Sequence, residues 1–148
     1  MLLDKQLIVS DAQVVTVTAV STDAIDTGGS NPVRNVGWGE EMRMIVQVNT
    51  TALAAGDATV TFELIQADNA ALTTNVEVLI ARAPIGKAEL TAGGAIPFDV
   101  VLPANSRRFL GMRYTVGTGP LTAGAFTAAL VHDSDRQRYY ANGYTNLA

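Results

Sequence analysis

Cysteine is absent from the 148-residue chain, which removes disulfide staples, thiolate nucleophiles and sulfur ligands for metals at once. A fold made from it is indifferent to redox conditions. Histidine occurs once, at His132, so chemistry that leans on imidazole has a single residue to draw on. Aromatic residues make up 6% and charged residues 16%, with a net charge of −4. The few rings count against the aromatic-lined grooves that hold sugars, and the negative balance counts against nucleic acid. No apolar run approaches the roughly 20 residues that span a bilayer. The opening Met1-Leu2-Leu3-Asp4-Lys5-Gln6 has no basic stretch followed by a long apolar core, so neither a membrane partner nor a signal peptide is expected. Helical periodicity is missing too; the nearest approach to a helical turn, residues 52–57, is closed by Gly56-Asp57.

What is present is β-strand chemistry, because Ala, Val, Thr and Gly fill the place of the absent rings. In residues 108–116 Leu110, Met112, Tyr114 and Val116 alternate with Phe109, Gly111, Arg113 and Thr115, giving one dry face. Gly117-Thr118-Gly119-Pro120 then reads as a turn, after which Phe126, Ala128 and Leu130 resume the alternation. This predicts a central hairpin over 107–131. Further strands are predicted at 13–18, with a shorter extended piece near Ala24 and Ile25, at 41–49, at 59–64 and at 75–80, the last two forming a second hairpin. A short strand at 87–90 and another over 96–102, stopped by Pro103, complete the set. Residues 2–10 read as an ordered arm or short edge strand. Residues 27–41 have the Gly and Pro content of a long loop, without P-loop spacing.

About eight strands and no sustained helix make an all-β fold, and strands with one dry face each require two sheets that cover one another. The expectation is one domain over 1–148, an antiparallel jelly-roll or Greek-key sandwich, with an N-terminal arm near 1–11 and a C-terminal tail near 132–148. An immunoglobulin-like sandwich is the alternative. The expected core is Met44, Val46, Phe62, Val78, Phe98, Val100, Leu110, Met112 and Leu130.

Candidate chemistry is sparse. His132-Asp133-Ser134-Asp135 places a base, a hydroxyl and carboxylates side by side, but four adjacent residues leaving a strand do not converge on one reacting atom. One His and two Asp are a poor metal set. Glu63 and Glu77 fall on facing strands of the second hairpin, the arrangement of a carbohydrate hydrolase, or simply the wet face of a sheet. No catalytic residue, cofactor or metal is assigned, and the chain is expected not to be an enzyme.

The more informative stretch is 136–144. It contains Arg136, Arg138, Tyr139, Tyr140 and Tyr144, holds three of the four tyrosines, and lacks any period. Arg and Tyr are enriched at the energetic centres of protein interfaces. Two readings stay open: a contact arm, or a plug over one end of the sandwich. Charge points the same way as composition. Residues 1–105 hold five Lys or Arg against twelve Asp or Glu, and residues 106–148 hold five Arg against two Asp.

The segments Leu3-Asp4-Lys5-Gln6-Leu7-Ile8-Val9-Ser10-Asp11-Ala12-Gln13, Ser21-Thr22-Asp23-Ala24-Ile25-Asp26, Arg108-Phe109-Leu110-Gly111-Met112-Arg113-Tyr114 and the tyrosine-rich tail together resemble the capsid cement proteins of short-tailed bacteriophages, of the Bordetella-phage type. The resemblance runs over essentially the whole chain. It implies a jelly roll made in the host cytoplasm and attached to the outside of an icosahedral head, where it stabilises the capsid by bridging subunits of the major capsid protein. The implied partners are that shell protein and other copies of the chain, as a dimer or, alternatively, a trimer. A carbohydrate-binding module or a receptor-binding phage protein is the competing reading.

Overall fold

The computed structural model describes residues 3–28, 41–104 and 107–132. Ten strands run through them: β1 (Ile8–Val14), β2 (Ala19–Val20), β3 (Ile25–Asp26), β4 (Met42–Leu53), β5 (Thr59–Ala67), β6 (Glu77–Ala81), β7 (Ile85–Gly86), β8 (Phe98–Val101), β9 (Phe109–Gly117) and β10 (Ala123–His132). All pairings are antiparallel. The first sheet has the order β1-β10-β4-β8; the second has β2-β9-β5-β6, with β3 added to β9 and β7 to β5. The chain passes between the sheets repeatedly, from β1 to β2 and β3, back to β4, over to β5–β7, back to β8, over to β9 and back to β10. That interleaving is the jelly roll expected from the alternating strands.

The dry faces meet as the alternation requires. Met44, Val46, Phe98, Phe126 and Leu130 from the first sheet pack against Phe62, Leu64, Leu110 and Met112 from the second, all at 0–1% exposure. At the centre Phe62 stands edge-on to Tyr114 (5.9 Å) and to Phe126 (5.3 Å), while Tyr114 stacks on Phe126 at 5.6 Å. Tyr114 carries a hydroxyl into this dry volume, and it is satisfied: it donates to Ser10 Oγ at 2.7 Å, which donates onward to Gln13 Oε1 at 2.8 Å. Burial pushes the phenol well above the usual tyrosine range.

Four expectations are corrected. The predicted central hairpin does not exist: β9 belongs to the second sheet and β10 to the first. The residues between them arch across the sandwich, with Thr118 (φ 59°) and Gly119 (φ 98°) reversing the chain. Two dry-faced strands satisfy their alternation equally well side by side or face to face, so periodicity does not distinguish the arrangements. Val78, expected in the core, is 40% exposed. β5 alternates regularly against β9, but opposite β6 the register jumps from Leu64↔Ile80 to Ile65↔Val78. The extra residue, Leu79, forms a bulge that turns Val78 to the outer face. Finally, residues 87–89 form a 3-10 turn rather than a strand, and β1 ends at Val14, so residues 15–18 lie outside the sheet.

Val100, also predicted for the core, is half-buried and packs against it. The other seven predicted core residues are fully buried.

Candidate functional site

The outer face of the second sheet is built by β5 and β9, where the regular register sets Glu63 opposite Arg113. The guanidinium grips the carboxylate with both arms, Nε donating to Oε2 at 2.6 Å and Nη2 to Oε1 at 3.0 Å, and Thr115 Oγ1 donates to Oε2 at 2.7 Å. These charge-assisted bonds, chiefly that from Arg113, hold the Glu63 carboxyl below its ordinary range. A depressed pKa is the wrong direction for a general acid. Glu77 lies past the bulge, opposite Gln66 on the inward alternation, and accepts from Gln66 Nε2 at 2.7 Å. The two carboxylates therefore lie on opposite faces of the sheet and do not flank one groove.

A folded-state pKa below the unfolded value means that the pair stabilises the protein above the unfolded pKa, about 4.3 for glutamate, and that the contribution disappears as pH falls through the folded value. Lowering pH from about 6 to about 3 is thus expected to shrink the gap in thermal midpoint between the natural chain and Glu63→Gln. A gap constant over that range would show the pair to be energetically silent.

A second group of charges collects where β5 ends and β9 begins. Arg107 Nη1 donates to both oxygens of Asp68 (3.0 and 3.1 Å), and its Nε lies 3.5 Å from Glu77. Arg108 grips Asp26 bidentately at 2.7 and 2.8 Å, with its guanidinium carbon 5.1 Å from the centre of the Phe109 ring. Asp68 is held below the usual carboxylate range by Asn75 first and Arg107 second. The basic last third is therefore partly matched within the chain: Arg107, Arg108 and Arg113 pair with Asp68, Asp26 and Glu63 from the acidic part. That pairing requires strand register and cannot be read from charge counts.

The loop 68–75 folds back over the same face and lays Leu72 on Gly111. Ile65, Ala67 and Leu72 form a small outer core with Val20, Ala24, Val76 and Phe109 packed against it. Asn69 organises the loop, its Oδ1 accepting from the backbone N–H of Thr73 and Thr74 at 2.9 Å each. Leu72 has φ 56° and is 2% exposed, so burial holds a backbone conformation that leucine rarely adopts.

His132 ends β10 opposite Met42; Asp133, Ser134 and Asp135 lie outside the described residues, as do Arg136, Arg138, Tyr139, Tyr140 and Tyr144. Among the described residues no group of three His, Cys, Asp or Glu could hold a metal ion, and no helix is long and apolar enough to cross a membrane. What the structure does place is the root of the tail. β10 finishes beside the start of β4, at the end of the sandwich where Thr27 N and Oγ1 both donate to Arg108 O and Leu102 N donates to Met42 O. The root of the tail, both stems of the 27–41 loop and the Arg107–Arg108 ion pairs thus share one end, a convergence the sequence alone does not reveal.

No curated protein matches the chain. The family model Bbp16 matches residues 9–130, from the second residue of β1 to within two residues of the end of β10. With nearly the whole sandwich inside that match, the chain belongs to the Bbp16 family, a Bordetella phage protein family, a membership that fits a phage structural protein.

Proposed function

We propose that the protein decorates the outside of an icosahedral phage head and stabilises it by bridging neighbouring subunits of the major capsid protein. The observation that carries this reading is the match to Bbp16 across nearly all of the jelly roll, combined with sixteen residues, 133–148, that follow β10 and hold Arg136, Arg138, Tyr139, Tyr140 and Tyr144. Cementing demands no reaction. It demands weak contacts repeated over a symmetric lattice, where modest affinity per site becomes firm retention. The tail contacts the shell protein or a second copy, a two-fold dimer being the simplest closed arrangement and a trimer the alternative. Its rings bury enough apolar area to offset the entropy of ordering the arm, and its guanidinium groups find carboxylates on the partner.

Deleting residues 133–148 is expected to leave the thermal unfolding transition in place while releasing the protein from purified heads in a co-sedimentation assay, most clearly at raised salt, where rim charges help least. Retention equal to that of the full chain would move the contact elsewhere; loss of the folding transition would make the tail a plug of the sandwich.

A further inference from the structure

The three most exposed large apolar side chains among the described residues are Val14 (69%), Val17 (60%) and Leu53 (55%). They come from segments far apart in sequence, and strand register gathers them at one corner. Val14 ends β1 opposite Ala125 of β10, and Leu53 ends β4 opposite Ala123 of the same strand. Val17 lies in the adjoining link, held there by Leu121 N donating to Thr16 O and Val15 N donating to Gly124 O. The segments that meet at this corner are also free of charge: residues 12–21, 47–56 and 114–131 contain no Asp, Glu, Lys, Arg or His. Of the charges that flank them, Asp11 pairs with Lys5 and Lys87 donates to Ala54 O, while Asp57 and Glu89 are exposed.

We infer that this corner docks on an uncharged, apolar patch of the shell protein, an inference that rests on the decoration reading above. The chemistry follows from the absence of charge. A charged partner group buried against Val14, Val17 and Leu53 would find no counter-ion in the segments that carry them, so the surface matching these side chains is itself charge-poor and apolar. A second copy of the corner meets that condition but not the requirement of size. Three aliphatic side chains supply about 300 Å² of apolar surface, against roughly 800 Å² per partner in a stable dimer. A contact that small holds only when it is repeated on a lattice and combined with others. Position supports the same partner. The corner and the root of the tail lie at opposite ends of β10, whose ten residues reach about 33 Å at roughly 3.3 Å per residue. Contacts at both ends are what bridging two shell subunits requires.

The test uses the full chain carrying Val17→Lys and Leu53→Lys, added to heads purified without the protein. Retention is read by co-sedimentation, solution mass by light scattering and folding by thermal unfolding. Retention is expected to fall about ten-fold or more, with unfolding midpoint and solution mass unchanged. Val17→Thr with Leu53→Gln, which adds polarity without charge, is expected to weaken retention in the same direction and keeps the test valid if the lysines disturb folding. Undiminished retention in both variants overturns the inference. A drop in solution mass alongside lost retention assigns the corner to contacts between copies and overturns the choice of partner. Failure of the unsubstituted chain to bind heads sinks the decoration reading itself, and this inference with it.

Discussion

Phe62→Ala is expected to cost about 3–5 kcal/mol of folding free energy, the largest loss of any single substitution considered for this chain. The ring is fully buried on β5 and is the point where the two sheets touch through aromatics: edge-on to Tyr114 in its own sheet and to Phe126 in the other. Truncation removes both edge-to-face contacts, each worth about 0.5–1.5 kcal/mol, and opens a cavity bounded by strands of both sheets. Those strands are held in register by their ladders and cannot collapse inward independently. Domains of this kind have about 5–15 kcal/mol to lose, so the variant is expected to unfold at a much lower urea concentration. Val78→Ala, on the outer face, is expected to change stability by less than about 0.5 kcal/mol. Similar urea midpoints for the two variants would show that the ring cluster does not join the sheets.

Gly111→Ala is the second large effect, expected at about 1–3 kcal/mol. A Cβ at this position would stand 2.3 Å from Leu72 Cδ1 and 2.9 Å from Ser21 Oγ. Neither neighbour yields freely. Ser21 Oγ accepts from Met112 N at 3.1 Å and donates to Asp23 O at 2.8 Å, while Leu72 is seated in the outer core on a backbone already strained. The methyl group therefore lifts the 68–75 loop from the sheet or displaces the β2 side of it. The two routes separate in a double-mutant cycle. If the clash with Leu72 dominates, Leu72→Ala costs less in the Gly111→Ala background than in the natural chain, by about 1 kcal/mol or more. Additive costs would place the damage at Ser21 instead.

The elements that were legible in the sequence share a property: their side chains answer to a single alternation. Met44 and Val46 on β4, Phe62 on β5 and Leu110 and Met112 on β9 point where a period of two puts them. Partner identity has no such signature. The dry face of β9 is equally consistent with a neighbour in the same sheet and with a neighbour across the core, and the crossing at 118–122 required the structure. A bulge hides in the same way, since one extra residue at Leu79 leaves composition untouched and reverses Val78. On β10 the alternating set Phe126, Ala128 and Leu130 does face the core, but the intervening Ala125, Thr127, Ala129 and Val131 are buried as well, so alternation does not show that both faces are covered. The candidate site was legible only in part. Composition singled out Arg136, Arg138 and the tyrosines, which lie outside the described residues. It did not reveal that Arg107, Arg108 and Arg113 find acidic partners in their own chain, or that Val14 and Leu53 flank the same end of β10.

One consequence of the first sheet's order concerns time. The strand that occupies its interior, between β1 and β4, is β10, and the ladder joining β1 to β10 pairs Ile8 with Ala129 and Val14 with Ala125. Ala12 N donates to Thr127 Oγ1 across 115 residues of chain. While the polypeptide is being synthesised from its N-terminus, β1 has no neighbour to pair with, and β4 lacks one of its two flanking strands until nearly the whole chain has emerged. Such contacts exact a large loop-closure entropy before they return any stability, which places the protein among slow folders. Throughout that interval the inward faces of both sheets and an open slot the width of one strand are exposed, so the nascent chain is most vulnerable to aggregation immediately before its last strand closes the fold.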